Sequence, residues 1–214
     1  MIIVYDLAFL MLYFVVSFYI CLRERYNFKR PLREEMINGT KSLCMQLPLS
    51  NMSTYLCPFS ADFSLFNCFA YVFLFDLIVF WLHYSFHNNK WLYENVHKTH
   101  HKTIHVSPFS ATILDIREHI LVGILPTILP LFFVDMTFVG WSITNAFIFI
   151  HGLLIHSTTN YRIGRLLGAD EHATHHMFKN THLGFINPLW DHLVGTATYP
   201  ISRETLVDSI VAAY

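Results

Sequence analysis

Fourteen of the 214 residues are histidine, as many as lysine and arginine together. Eight of them fall into three short runs: His83-Tyr-Ser-Phe-His87, His97-Lys-Thr-His100-His101 and His172-Ala-Thr-His175-His176. On a helix, residues three and four apart share a face, with Cβ atoms about 5–6 Å apart. Each run therefore presents two or three imidazoles as a stripe. Eight such rings converging would hold two metal ions, each with an open position. Imidazole suits Fe, Zn, Cu or Ni. Ca²⁺ or Mg²⁺ would call for a dense cluster of acids, and none accompanies the runs. A lone histidine on a helix is ordinarily a satisfied polar residue, and His105 and His192 read that way. Three runs at ligand spacing in one short chain do not.

The elements that must position these rings are apolar. Hydrophobic residues make up 54 % of the chain and charged residues 14 %, against about 25 % charged in globular chains. Mean hydropathy is +0.40. Such a composition excludes intrinsic disorder, and a net charge of −1 gives no footprint for nucleic acid. The expected fold is all-α: an integral membrane helical bundle of about four transmembrane helices with a histidine-rich helical cap. A span needs about 20 mostly apolar residues. Residues 1–22 fit, with Asp6 the only charge. They lack a basic start and a small-residue cleavage site, and so predict an anchor and not a removable signal. The second segment is 63–82. A third, Ile120 to Val134, and a fourth, Met136 to about His156, are near the minimum length. Asp135 separates them, Pro126 and Pro130 bend the third, and together they read as a tight hairpin. His83, His119 and His156 then lie at one membrane face, where loop 88–118 and the tail from 157 also emerge. Stretch 43–60 is uncharged but short, and Pro48 and Pro58 break it. Of the four cysteines, Cys21 and Cys68 read as packing residues, whereas Cys44 and Cys57 are a weak candidate disulfide pair.

The three runs, in this order and spacing, resemble the histidine boxes of the fatty acid hydroxylase superfamily, which includes sterol desaturases, sterol C4-methyl oxidases and cholesterol 25-hydroxylase. The stretch from Trp91-Leu-Tyr to His97-Lys-Thr-His-His101 is similar to the second box of the sterol enzymes. The closing Trp190-Asp191-His-Leu-Val-Gly195-Thr196 is similar to the family's terminal motif. The likeness covers about residues 72–200. It implies a non-haem di-iron oxidoreductase of the endoplasmic reticulum membrane, with its active site facing the cytosol. By this likeness two irons are held by His83, His87, His97, His100, His101, His172, His175 and His176, with His156 as a further ligand. Asp76, seven residues before the first box, lies on the His83 face and is expected to hold that ring. Glu118 and Asp191 are further candidates for supporting the ligands. Where many relatives carry His-Pro-x-Glu, this chain reads Asp115-Ile-Arg-Glu118, keeping only the acid. His182, in His182-Leu-Gly184, and His151 are outside candidates for ligation.

The resemblance implies hydroxylation or desaturation of a sterol-like or fatty acyl lipid in lipid biosynthesis, with O₂ as co-substrate. No His-Pro-Gly-Gly haem signature occurs, so a separate cytochrome b5-like electron donor is expected. The expected organisation is an anchor and connector over 1–62, a catalytic domain over 63–200 and a tail over 201–214. Three rival readings are weaker. A zinc hydrolase needs His-Glu-x-x-His, which is absent from the sequence. A non-catalytic metal-binding or transport protein should carry its ligands near the bilayer midplane, whereas these lie at segment ends. An inactive relative would not keep every box. Loop 23–41, with Arg23, Arg25, Lys29, Arg30 and Arg33 directly after the first segment, predicts a cytosolic location. The amino terminus is then in the lumen and 43–60 is a short crossing. The sequon Asn38-Gly-Thr40 stays unmodified, and Asn51-Met-Ser53 lies too deep for modification.

Overall fold

The computed structural model describes residues 2–23, 30–103, 106–157, 161–200, 202 and 205. The expectations for His105, for Arg25 and Lys29, and for the 201–214 tail apart from Ser202 and Thr205 fall outside the described residues. Among the described residues there are helices and irregular segments and no strand.

Three long helices open the chain: α1 (Ile2–Arg23), α2 (Arg30–Thr54) and α3 (Leu65–Asn88). Ser64 starts α3 by accepting from the Asn67 N–H, and Asn89 ends it. The Asn89 side chain then caps the short α4 (Lys90–Leu92) by accepting from Trp91 and Leu92. A π-turn, Tyr93–His97, follows directly, and then a 3-10 turn, His100–Lys102. A second 3-10 turn, Pro108–Thr112, leads to α5 (Ile116–Glu118), a π-turn His119–Ile124 and α6 (Leu125–Ile128). A 3-10 turn over Leu129–Phe132 closes that arm. The returning helix is α7 (Phe138–Ile155), and the chain finishes with α8 (Ala169–Phe178) and α9 (Leu189–Val194). Gly195 terminates α9 at φ 82°, a left-handed conformation that favours glycine.

The expected hairpin of segments three and four is present, but its first arm is broken. In a 3-10 turn the donor to the Thr127 carbonyl would be residue 130, and Pro130 has no N–H. The Tyr71 hydroxyl and the Trp141 indole N–H bond that carbonyl instead, at 2.9 and 3.1 Å. This ties α3, the broken arm and α7 together around Tyr71, Phe75, Val79, Trp141 and Ile148.

Three expectations need correction. Two helices among the described residues, Leu65–Asn88 and Phe138–Ile155, are long and apolar enough to cross a membrane, rather than about four. Leu7–Arg23 adds a shorter apolar helix. Second, residues 30–41 are not a loop that precedes a separate segment at 43–60. Arg30 to Thr54 is one helix with Pro48 inside it. Its first half carries Arg33, Glu34, Glu35 and Lys41, so its sidedness is amphipathic. Leu32, Leu43 and Leu47 pack against Tyr13, Phe109 and Leu153. Ser42 and Gln46, one turn apart on α2, bond the 112–114 backbone. Third, all four cysteines are free thiols.

Candidate metal centre

The structure brings nine histidines together in two groups. His83, His87, His97, His101 and His175 form the first; His100, His156, His172 and His176 form the second. The helical geometry explains the sorting. His83 and His87 are one turn apart on α3 and point the same way. On α8, His172 and His176 are likewise one turn apart. His175 is 100° away from His176 around the helix axis, which sends it to the other group. The second box is not a regular helix. The Lys98 N–H bonds the Tyr93 carbonyl at 2.8 Å, a π-turn spacing, and a 3-10 turn follows. His97 and His101 reach the first group while His100 turns to the second. His156 ends α7 and enters the second group with its Nδ1 on the Gly152 carbonyl at 2.7 Å.

Nearly every ring is buried; His87 is the half-buried exception. Burial, reinforced by the neighbouring rings, holds His97, His100, His172, His175 and His176 well below the ordinary imidazole range. His101 is pushed down for the same reasons. The rings are therefore neutral, the form that ligates metal.

Their tautomers can be read from the acceptors. His83 Nδ1 lies 2.8 Å from the Leu183 carbonyl, His175 Nδ1 2.9 Å from Thr181 O and His176 Nδ1 3.0 Å from Thr103 O. His97 Nδ1 lies 2.7 Å from Glu118 Oε1. A nitrogen facing a carbonyl oxygen must carry the proton, so Nε2 of His83, His175 and His176 is a bare lone pair. Yet His83 Nε2 and His97 Nε2 are 3.1 Å apart, and His175 Nε2 lies 3.1 Å from His101 Nε2. In the second group His172 Nε2 stands 3.0 Å from His156 and 3.1 Å from His176. His156 and His176 both keep their proton on Nδ1, so a single proton on His172 cannot satisfy both contacts. Lone pairs converging at such distances are repulsive unless a cation lies between them. The donor set thus fits two metal ions.

The supporting shell departs from expectation in one place. Glu118 is buried and holds His97; burial raises its carboxyl well above the ordinary range, with Asp115 adding to the shift. Asp191 accepts from the N–H groups of Leu183 and Gly184 at 2.6 and 2.9 Å and from the Thr196 hydroxyl at 2.7 Å. It thereby fixes the segment whose Leu183 carbonyl orients His83. Asp76 does not touch His83. Seven residues of helix rise about 10 Å, beyond the reach of a carboxylate. Asp76 instead accepts from Ile186 N, Asn187 N and the Trp190 indole, at 2.8, 3.2 and 3.0 Å. The two acids clamp opposite ends of the same loop.

His151 and His182 belong to neither group. His151 Nε2 bonds the Phe185 carbonyl at 2.9 Å, and His182 Nε2 the Thr198 hydroxyl at 3.1 Å. His192 is exposed, as expected of a surface polar residue. Sequence reasoning missed the backbone carbonyls that set the tautomers, because carbonyls leave no residue-type signal. It also missed the cavity. This space, about 280 Å³, opens between α2, α3 and α7. His83 and His97 of the first group line it together with His100, His156 and His172 of the second. Phe75, Val79, Ile148, Phe149 and Leu153 supply apolar walls.

The described residues form an all-helical scaffold with two converging histidine groups, able to hold metal, beside a cavity with apolar walls. The profile of the fatty acid hydroxylase family matches residues 68–196, and the chain belongs to that family. It is 27 % identical over 152 residues to a putative Delta(7)-sterol-C5(6)-desaturase 2 of Arabidopsis thaliana, covering 66 % of this chain and 53 % of that one. A probable Delta(7)-sterol 5(6)-desaturase of Neurospora crassa is 31 % identical over 132 residues, covering 58 % and 36 %. Lathosterol oxidase of Mus musculus is 26 % identical over 145 residues, covering 63 % and 46 %. The chain thus spans between about a third and about half of the length of these relatives. No solved structure matches it.

Proposed function

We propose that this chain is a membrane-embedded oxidoreductase that holds two irons on its nine clustered histidines and uses O₂ to desaturate or hydroxylate a sterol-like lipid. The observation that carries the reading is that both histidine groups line one apolar cavity. A metal carrier has no use for a lipid-sized space against its ligands. When bound, the irons would supply O₂ activation and removal of hydrogen from an unactivated C–H.

Five rings in the first group exceed the four ligands of a structural zinc site, which supports iron over structural zinc.

The chain's own residues do the rest. Glu118 accepts the His97 Nδ1 proton, which fixes that ring and increases its donor strength. Asp76 and Asp191 set the loop that orients His83. The cavity walls exclude water and align a lipid. Membrane embedding is supported by the exposed apolar faces of α1, α3 and α7, where Met11, Phe66 and Ile143 are 67 %, 77 % and 65 % exposed. Electrons come from a separate cytochrome b5-like donor. The active site faces the cytosol, in the endoplasmic reticulum, as the family resemblance implies.

The test is the lipid profile of a host expressing the chain against one expressing His100→Ala. A sterol altered by one unsaturation or one hydroxyl should appear with the former alone. Identical sterol and fatty acyl profiles from an iron-loaded chain would refute the reading.

A further inference from the structure

The cavity wall supplied by α2 carries a buried amide that the roles above leave unused. Gln46 is 4 % exposed and lines the cavity. Its Nε2 donates to the Ser42 hydroxyl at 2.8 Å and to the Thr112 carbonyl at 3.2 Å. A carbonyl only accepts, so the amide nitrogen must face Thr112 and the oxygen is turned away from it. Among the described residues no donor reaches Oε1. Gln46 lines the cavity, so this oxygen can accept from a molecule held there.

Gln46 stands at the metal end of that space. Its partner Thr112 lies in the segment that joins His101 to Glu118, and the backbone of Ile113 is beside the His100 ring. The Gln46 backbone lies against His119, the neighbour of Glu118. The cavity has two further amides, Asn51, five residues beyond Gln46 on α2, and Asn145. Asn145 sits eleven residues before His156, about 16 Å away along α7. Its Nδ2 is committed to Tyr71 and Trp141, and its oxygen faces the Tyr71 hydroxyl at 3.4 Å.

We infer that Gln46 Oε1 accepts the hydroxyl proton of a 3-hydroxysterol and so determines which ring carbons lie at the histidines. This rests on the sterol reading given above. In a sterol a single carbon separates the hydroxyl-bearing C3 from C5. A hydroxyl pinned beside His100 therefore presents C5 and C6 to the metal centre, whereas one held at Asn145 would leave them far from it. Both amide hydrogens of Gln46 are committed, so Gln46 accepts a proton and offers none. An analogue that keeps the oxygen but lacks the hydrogen should be rejected as strongly as one that lacks the oxygen.

The experiment uses the iron-loaded full chain in lipid nanodiscs, with binding read from quenching of tryptophan fluorescence (Trp141 lines the cavity) and turnover read from product analysis. The wild type should bind the 3-hydroxysterol about tenfold or more tightly than its 3-ketone, 3-methyl ether or 3-deoxy analogue. Gln46→Leu should erase that preference while keeping its iron. A ketone bound as well as the alcohol by the wild type overturns the assignment, and so does a Gln46→Leu chain that keeps the preference. The wild-type comparison stands by itself if the variant fails to fold. Sterol turnover without a hydroxyl preference removes only the role of Gln46. An iron-loaded chain that neither binds nor converts any sterol removes the sterol reading, and this assignment with it.

Discussion

His97 faces two requirements at once. Its Nε2 must be free for metal, and its Nδ1 proton must have an acceptor in a buried setting. Glu118 meets the second at 2.7 Å. Glu118→Leu should leave that proton unpaired and let the ring turn. Iron retention in a chelator competition should fall about 10- to 100-fold, with the helical content kept; unchanged retention would remove the role. Protonation of the rings themselves gives a second prediction. Burial lowers the folded-state values of His100, His172, His175 and His176, while the unfolded chain titrates near about 6.5. The unfolded state therefore binds more protons as pH falls, so the stability is complete above about 6.5 and is lost below it. The thermal midpoint of the metal-free chain should be level above about pH 7.5 and drop steeply below about pH 6.5. A level midpoint down to about pH 5 would contradict the burial of neutral rings. At this scale the clustering of the box histidines was legible because imidazole spacing is a property of residue type. Asp76 was assigned to the wrong partner because a shared helix face says nothing about distance along the axis.

Among the elements, α3 and α7 were legible as long apolar runs, and the histidine run 172–176 as one helical turn and a little more. The second box was not, because a π-turn joined to a 3-10 turn has no hydrophobic period to betray it. Even so, His97 and His101, four residues apart, fall in one group and His100 in the other, as His172 and His176 divide from His175 on the regular α8. α2 was read as a loop and a crossing because its charges sit in the first half and its apolar residues in the second, yet the helix is continuous. Its packing depends on Gly39. A Cβ there would stand within 2.2 Å of the Phe109 carbonyl oxygen and 2.5 Å of the Tyr13 hydroxyl. The Gly39 carbonyl also accepts from the Thr112 hydroxyl at 3.0 Å. Gly39→Ala gains helix propensity of about 1 kcal/mol, but the contact with a backbone oxygen should outweigh it. Net destabilisation of about 1–3 kcal/mol is expected in a denaturant titration. A stabilised variant would show that α2 does not lie where it is described.

For the molecule as a whole, the sequence conveyed the helical class and the gathering of the boxes, since both follow from composition and order. The number of crossings was less legible. Two prolines shorten the arm before α7 into π, α and 3-10 pieces, and the polar first half of α2 masks its length. The cavity was invisible for a different reason: its apolar walls come from α1, α2, α3, α7 and the stretches around 111–127 and 184–185, and these wall residues form no motif. What unites these scales is the gathering of histidines from α3, the second box, the end of α7 and α8 into groups of five and four, which we propose hold the metals. Metal analysis of the purified, iron-loaded chain tests this most directly. The account predicts about two irons per chain, with His87→Ala/His175→Ala lowering the count toward one by emptying the first group, and the triple replacement of His97, His100 and His101 by Ala lowering it further. An iron content unaffected by the triple replacement would contradict it.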